Sequence, residues 1–309
     1  MLLDEIKNNP STPLQKIEDP ITRKFGVNLF IKRLDLIHPE ISGNKWFKLK
    51  YNLLEARAKG FKTLLTFGGA YSNHIYATAA AGNIFGFKTI GIIRGEEHLP
   101  LNPTLDFASE CGMEIYYLDR SNYRMKNSVN ILALLKNKFG RFYLIPEGGS
   151  NKIAVKGCCE IITEIDQSFD YICTASGTGG TLAGIVSALS SDQKALGFSV
   201  LKSGDFLNQN VSTLLNEGKV DINGKWQIFT DFHFGGYAKI TTQLIEFIRD
   251  FEKKSGITLE PIYSGKMMYG IYDLIRKNYF PQGSNIIALH NGGMQGLKGM
   301  EGKIKLLEN

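Results

Sequence analysis

Cysteine is scarce. Cys111, Cys158, Cys159 and Cys173 are the four thiols among 309 residues. None forms a C-x-x-C pair, which argues against a zinc site and a disulfide framework. The thiols read as reduced and mostly buried, as in a cytoplasmic protein, and no metal is expected. Long apolar runs are missing as well. No stretch approaches the roughly 20 residues that cross a bilayer, so no membrane role is expected. The opening MLLDEIKNNPSTPLQ lacks the apolar core of a secretory signal. A block of one charge sign is also lacking. Thirty-six Lys and Arg against 30 Asp and Glu leave a formal +6, with both signs interspersed. That gives no basic stripe for nucleic acid and leaves room for an anionic small molecule.

Glycine is plentiful, with 33 residues, and it punctuates a regular pattern. VNLFIKRLD precedes NKWFKLKYNLLEARAKG, TLLTFGG precedes SNHIYATAAAGNIFG, and KTIGIIRG precedes PTLDFASECG. MEIYYLD precedes a helix expected across Arg124–Lys138. The rhythm resumes in FYLIPEGG, KIAVKGCCEIITEI, YICTASG and TLAGIVSALS. WQIFTDF, helices near Ile240–Lys254 and Gly265–Lys277, and a last strand NIIALHNGG complete it. Strand–helix alternation of this length predicts an α/β fold of open parallel sheets with crossover helices. Gly68–Gly69, Gly148–Gly149, Gly177–Gly180 and Gly292–Gly293 all fall at strand ends. Open sheets bind ligands there, so the four clusters are expected to meet in one crevice.

Four stretches have the residue types for chemistry. In TASGTGGTLAG, the turn Gly177, Thr178, Gly179, Gly180 and Thr181 offers bare N–H groups to a phosphate. No Gly-Lys-Ser/Thr follows, and Leu182 stands where a dinucleotide fingerprint needs glycine. A NAD-dependent dehydrogenase is therefore disfavoured, and an empty βα turn is the bland alternative. In SGNKWFKLK, Lys45 lies at a helix start, where the dipole disfavours a cation. That field and neighbouring ammonium groups would lower its pKa and free its amine to attack an aldehyde. A solvated basic face is the ordinary reading of such lysines. In GGAYSNH, Ser72 is a natural N-cap, with Asn73 and His74 in the first turn. A carboxylate would fit at that helix end, although a capping serine needs no ligand. Tyr237 and Tyr263 precede helices and can exchange protons if their pKa is lowered; packed aromatics are the plainer reading.

Read in order, GNKxxKL, GGxxSNH, SGTGGTxAG, PxYxGK and LHxGG resemble the D-cysteine desulfhydrase and 1-aminocyclopropane-1-carboxylate deaminase family. The match runs in register from about Leu14 to Gly293. The resemblance implies pyridoxal 5'-phosphate in the cleft between two open twisted parallel-sheet domains of the tryptophan-synthase-β type (fold type II). The large domain would hold residues 1–48 and 146–309, and the small one 49–145. It also implies that Lys45 forms the Schiff base and that Lys48 reaches the phosphate. Gly177, Thr178, Gly179, Gly180 and Thr181 would wrap that phosphate, and Asn73 would bond the ring oxygen. Ser72 and His74, beside Asn73, match the positions that hold the substrate carboxylate. Tyr237 and Tyr263 match the two active-site tyrosines, and a homodimer is implied.

Departures from the pattern point to the reaction. Phe47 replaces a usual arginine, Tyr71 a frequent glutamine, and Asn291 a commoner threonine. Ser264 stands where ring-opening deaminases carry a glutamate against the pyridine nitrogen. A carboxylate there favours a protonated ring and a strong electron sink, whereas a serine offers a neutral hydrogen bond. Ser264 thus points to β-elimination from a small amino acid, with D-cysteine giving pyruvate, ammonia and hydrogen sulfide. The alternatives are a 1-aminocyclopropane-1-carboxylate deaminase and, in another class, a non-catalytic phosphate-ligand binding protein. The segment Lys194–Gln227 is short beside the family's usual length.

Overall fold

In the computed structural model, residues 6–219 and 222–308 are described. Residues 1–5 of the opening stretch and the outermost ends of the expected large domain lie outside them. Two sheets organise the chain. The larger has the order β1-β2-β10-β7-β8-β9 and the smaller β5-β4-β3-β6. The larger comprises β1 (Leu14–Ile17), β2 (Asn28–Lys32), β7 (Tyr171–Ser176), β8 (Lys194–Ser199), β9 (Lys225–Phe229) and β10 (Asn285–Leu289). The smaller comprises β3 (Thr63–Gly68), β4 (Lys88–Arg94), β5 (Met113–Leu118) and β6 (Tyr143–Ile145). All neighbours are parallel except β1, which pairs antiparallel with β2, Leu14 facing Lys32 and Ile17 facing Leu29.

The sequence pattern missed some elements for physical reasons. LQKI is four residues long with only its last residue buried, so β1 has little apolar signal. In β8, KALGFS has no β-branched residue and is buried after its first position, so it shows no alternation to read. The Phe206–Glu217 helix follows it. The helix expected across Arg124–Lys138 is two helices, Arg120–Arg124 and Val129–Phe139. Asp119 caps the first by accepting from Ser121 and Asn122, and Ser128 caps the second by accepting from Ile131. Each capping side chain starts a new helix where the pattern read one.

The Asn44–Ala58 helix packs against Lys152–Thr163, which packs against Gly180–Val186. Phe47, Leu49, Leu53 and Ala56 are fully buried in that layer. The position of Phe47, arginine in the resembled family, is therefore core. The helix is continuous through residues 48 and 49, where the expected domain boundary falls. On the other face of the large sheet, Thr242–Ser255 and Ser264–Arg276 cover Leu196, Phe198 and Ile286. The Asn73–Phe85 helix buries four alanines, Ala77, Ala79, Ala80 and Ala81, with Gly82 beside them. No described helix is long and apolar enough to cross a membrane.

Candidate active site

The helix start that carries Lys45 is fixed by Gly43. Its φ is +66°, and a Cβ there would collide with the carbonyl of Asn291. Only glycine combines that backbone with that approach. Asn44, the next residue, is buried and bridges two parts of the site. Its Nδ2 donates to Thr181 Oγ1 at 2.8 Å, and its Oδ1 accepts from Lys45 Nζ at 2.9 Å. The lysine amine is thereby tied to Thr181 of the glycine turn, 137 positions from Asn44. Burial pulls the Lys45 pKa down to about 7, and the Lys48 ammonium adds to the effect. The expected direction holds, but desolvation is the main cause.

Lys48 is one helical turn further on. Its Nζ donates to the Gly148 carbonyl at 2.9 Å and to Ser150 Oγ at 3.1 Å, with Thr178 Oγ1 at 3.5 Å. Ser150 and Thr178 are 2.6 Å apart. Burial lowers the Lys48 pKa to about 8. Gly180 faces this cluster: a Cβ on it would sit 2.5 Å from Ser150 Oγ and 3.2 Å from Lys48 Nζ. One ammonium, two hydroxyls and the bare turn Gly177–Gly180 thus surround a small space. That donor set fits a phosphate group.

On the opposite wall, Ser72 Oγ accepts from the N–H groups of His74 and Ile75 at 3.2 and 3.3 Å. Its own O–H stays free to donate to a carboxylate. Asn73 Oδ1 accepts from Gln295 Nε2 at 3.0 Å. This assigns the amide so that Nδ2 carries the free hydrogens, which suits a ring oxygen. His74 corrects an expectation. Thr66 Oγ1 donates its single proton to the Ile145 carbonyl at 2.8 Å. The His74 Nε2 at 2.8 Å must therefore be the donor to Thr66. His74 is buried and its pKa is lowered well below the ordinary value by burial and by Lys45 and Lys48. The ring is neutral with a bare Nδ1, which accepts hydrogen bonds and cannot donate one to a carboxylate.

At the far end, Tyr263 lies against Tyr237 with ring centroids 6.0 Å apart, edge to face. Burial raises both phenol pKa values, and a hydrogen bond joins them. At neutral pH both keep their protons, so they can donate but not abstract. The lowered pKa considered for them is not found. Glu260 is buried and accepts from Ile262 and Tyr263 N–H at 2.8 and 3.0 Å, and from Ser264 N–H. Burial pushes its pKa up to about 7, against the pull of those backbone bonds. Its carboxylate is spent on capping this turn. Ser264 is fully buried, and its Oγ faces the Glu260 carboxylate without a well-formed hydrogen bond. Asn291 Nδ2 donates to Thr174 Oγ1 at 2.9 Å, while its Oδ1 is unpaired.

Lys45, Lys48, Ser72, Asn73, His74, Gly177, Thr178, Gly179, Thr181, Tyr263 and Asn291 line one cavity. Gly180, Ser264 and Tyr237 adjoin it through Lys48, Tyr263 and the phenol pair. Buried polar groups are nearly always satisfied, yet His74 Nδ1, Ser176 Oγ, Ser264 Oγ and Asn291 Oδ1 are not. His74, Ser176 and Asn291 line this cavity, and Ser264 follows Tyr263. A flat polar ring with an anionic tail, as in pyridoxal phosphate, fits these groups. No cluster of metal-ligating side chains occurs among the described residues. The pattern reading overlooked Asn44, Ser150, Glu260 and Gln295. Their partners, Glu260's excepted, lie far away in sequence; for Glu260, an acid ahead of a helix start was the available signal.

The sequence pattern of the family described as "Pyridoxal-phosphate dependent enzyme" matches residues 4–292. A Pyrococcus horikoshii protein named "Putative 1-aminocyclopropane-1-carboxylate deaminase" is 35% identical over 92% of this chain and 90% of its own. The Arabidopsis thaliana "Bifunctional D-cysteine desulfhydrase/1-aminocyclopropane-1-carboxylate deaminase, mitochondrial" is 32% identical over 88% of this chain and 74% of its own. A crystal structure of an "ACC deaminase homologue" superposes with a TM-score of 0.84 at 32% identity, covering 99% and 98% of the two chains. The two-sheet fold, the donor set of the cavity and these likenesses agree: the chain belongs to the pyridoxal-phosphate dependent enzyme family.

Proposed function

We propose that this enzyme is a lyase that eliminates a β-substituent from a small amino acid, with D-cysteine as the leading substrate. The observation that carries the reading is Ser264, a neutral buried hydroxyl beside Tyr263, where it faces Glu260 without a well-formed bond. Bound pyridoxal phosphate supplies an aldehyde for the substrate amine and a ring that withdraws electrons from its α-carbon. Lys45 would hold the aldehyde. Lys48, Ser150, Thr178 and the turn Gly177–Gly180 would hold the phosphate, with Thr181 fixing Asn44. Asn73 would donate to the ring oxygen, and Ser264 would offer the ring nitrogen a hydrogen bond without a charge. Asn291 would close the ring's edge.

The Ser72 hydroxyl binds the substrate carboxylate at the helix end. The Lys45 amine, whose pKa lies near 7, takes the α-proton at neutral pH. Tyr263 keeps its proton and gives it to the departing sulfur as the carbon–sulfur bond breaks. Tyr237 shares the hydrogen bond that returns a proton to Tyr263. The balance is D-cysteine plus water to pyruvate, ammonia and hydrogen sulfide. His74, with a bare Nδ1, fits the role of an acceptor from a bound donor better than that of a carboxylate clamp.

A second reading is 1-aminocyclopropane-1-carboxylate deaminase, which the Pyrococcus horikoshii relative's name favours and the Arabidopsis one gives beside desulfhydrase. Pyruvate and sulfide from D-cysteine, measured beside 2-oxobutyrate from the cyclopropane amino acid, separates the two. Elimination faster than ring opening supports our reading; the reverse order overturns it. We also place the chain's two units at 1–48 with 146–309 and at 49–145 and infer a homodimer, on the family resemblance, and we infer a cytoplasmic setting from the thiols.

A further inference from the structure

Lys266 is a buried lysine that the reaction above does not use. It is wholly inaccessible, and its Nζ donates to two backbone carbonyls and to no carboxylate: those of His233 and Gly236, both at 2.8 Å. Burying an ammonium is costly, so a site that keeps one has a use for its bonds. Both acceptors belong to one loop. That loop is bent unusually: Phe234 and Ala238 have φ of +52° and +54°, and Gly235 and Gly236 have +92° and +118°. Non-glycine residues in that region are strained and persist only where surroundings hold them. Tyr237 sits between Gly236 and Ala238 and reaches Tyr263. Lys266 lies three residues after Tyr263, in the Ser264–Arg276 helix.

We propose that Lys266 is a positioning residue that locks the 233–238 loop to the helix carrying Tyr263, so that Tyr237 stays in hydrogen-bond range of it. The lysine touches neither substrate nor cofactor. It acts through Tyr237, and the proposal rests on the assignment of the two tyrosines to the site. Removing its ammonium leaves the His233 and Gly236 carbonyls only their turn bonds from Gly236 and Lys239 N–H and takes away the bonds that tie the loop to the helix. Tyr237 then leaves Tyr263.

A double-mutant cycle on the holoenzyme tests this. Tyr237→Phe should lower kcat by about 100-fold, the scale of a lost proton-transfer group. Lys266→Met should lower kcat to a similar degree, with KM within about threefold. The double variant should be no worse than Tyr237→Phe alone, because both changes remove one function. Lys266→Met should keep the visible band of the bound cofactor. Trypsin should cut it faster after Lys239, which is exposed at the loop's end. Losses that multiply in the double variant overturn the proposal, as does unchanged proteolysis. Lys266→Gln, which keeps a donor, repeats the cycle if the methionine variant does not accumulate. Failure of both variants to fold overturns it too, since the lysine would then support the whole domain. Wild-type enzyme inactive on every amino acid tried defeats the function proposed above; multiplying losses in an active enzyme defeat the clamp alone.

Discussion

Lys45 and Ser264 divide the work at the level of single residues. Lys45 is useful because burial and Lys48 bring its pKa to about 7, so a free amine is present at neutral pH. Ser264 is useful because it is uncharged. Replacing it by glutamate brings a carboxylate to the place the resemblance gives the ring nitrogen. A charge-assisted hydrogen bond is roughly twice as strong as a neutral one. Ser264→Glu should therefore raise ring opening relative to D-cysteine elimination by about tenfold. The readout is the ratio of 2-oxobutyrate to pyruvate formation. An unchanged or falling ratio would show that this position does not choose the reaction.

Helix starts do the positioning at the next scale. Ser72 has two tasks: its oxygen caps the Asn73–Phe85 helix, and the same side chain lines the cavity with its proton left to donate. Substitutions can separate them. Ser72→Ala should cost about 1 kcal/mol in unfolding free energy for the lost cap and also raise KM. Ser72→Asp caps equally well but sets a negative charge against the substrate carboxylate. It should keep the stability of wild type and raise KM by more than the alanine change does. Equal KM values for the two variants would remove Ser72 from the carboxylate site. The Tyr263 turn is held by Glu260 in the same way, which fixes Tyr263 and Ser264 together.

What could be read in advance follows from distance along the chain. Glycine-ended strands and the GNK, SNH and SGTGGT stretches carry local signals, and Lys45, Ser72, Asn73, Gly177, Thr178 and Gly179 line one cavity. Asn44 could not be assigned, because its role depends on Thr181 in a different strand–helix unit. The His74 tautomer depends on Thr66 and Ile145, again invisible locally. β8 lacks any periodic pattern because it is buried.

The whole molecule reports its buried charges through pH. In the cofactor-free chain, folding lowers the pKa of Lys45 from 10.5 to about 7, and those of Lys48 and Lys266 to about 8. Above pH 7 the unfolded chain binds more protons at these sites, so stability rises with pH. Glu260, raised from 4.5 to about 7, works oppositely, so stability falls between those values. Buried thiols oppose the rise above pH 9, with Cys158 pushed from 9.0 up to about 11. The cofactor-free enzyme should therefore gain urea resistance from pH 7 to 9. Lys45→Met should raise the urea midpoint at pH 7 and change it less at pH 9. A larger gain at pH 9 would mean that Lys45 is not desolvated.

The central assertion is that Lys45 is the covalent anchor. Borohydride reduction of the holoenzyme, followed by peptide mass spectrometry, tests it directly. The cofactor's mass should appear on the peptide that contains Lys45, and Lys45→Ala should carry none. A label on Lys48, on Lys266 or on no lysine would contradict the account.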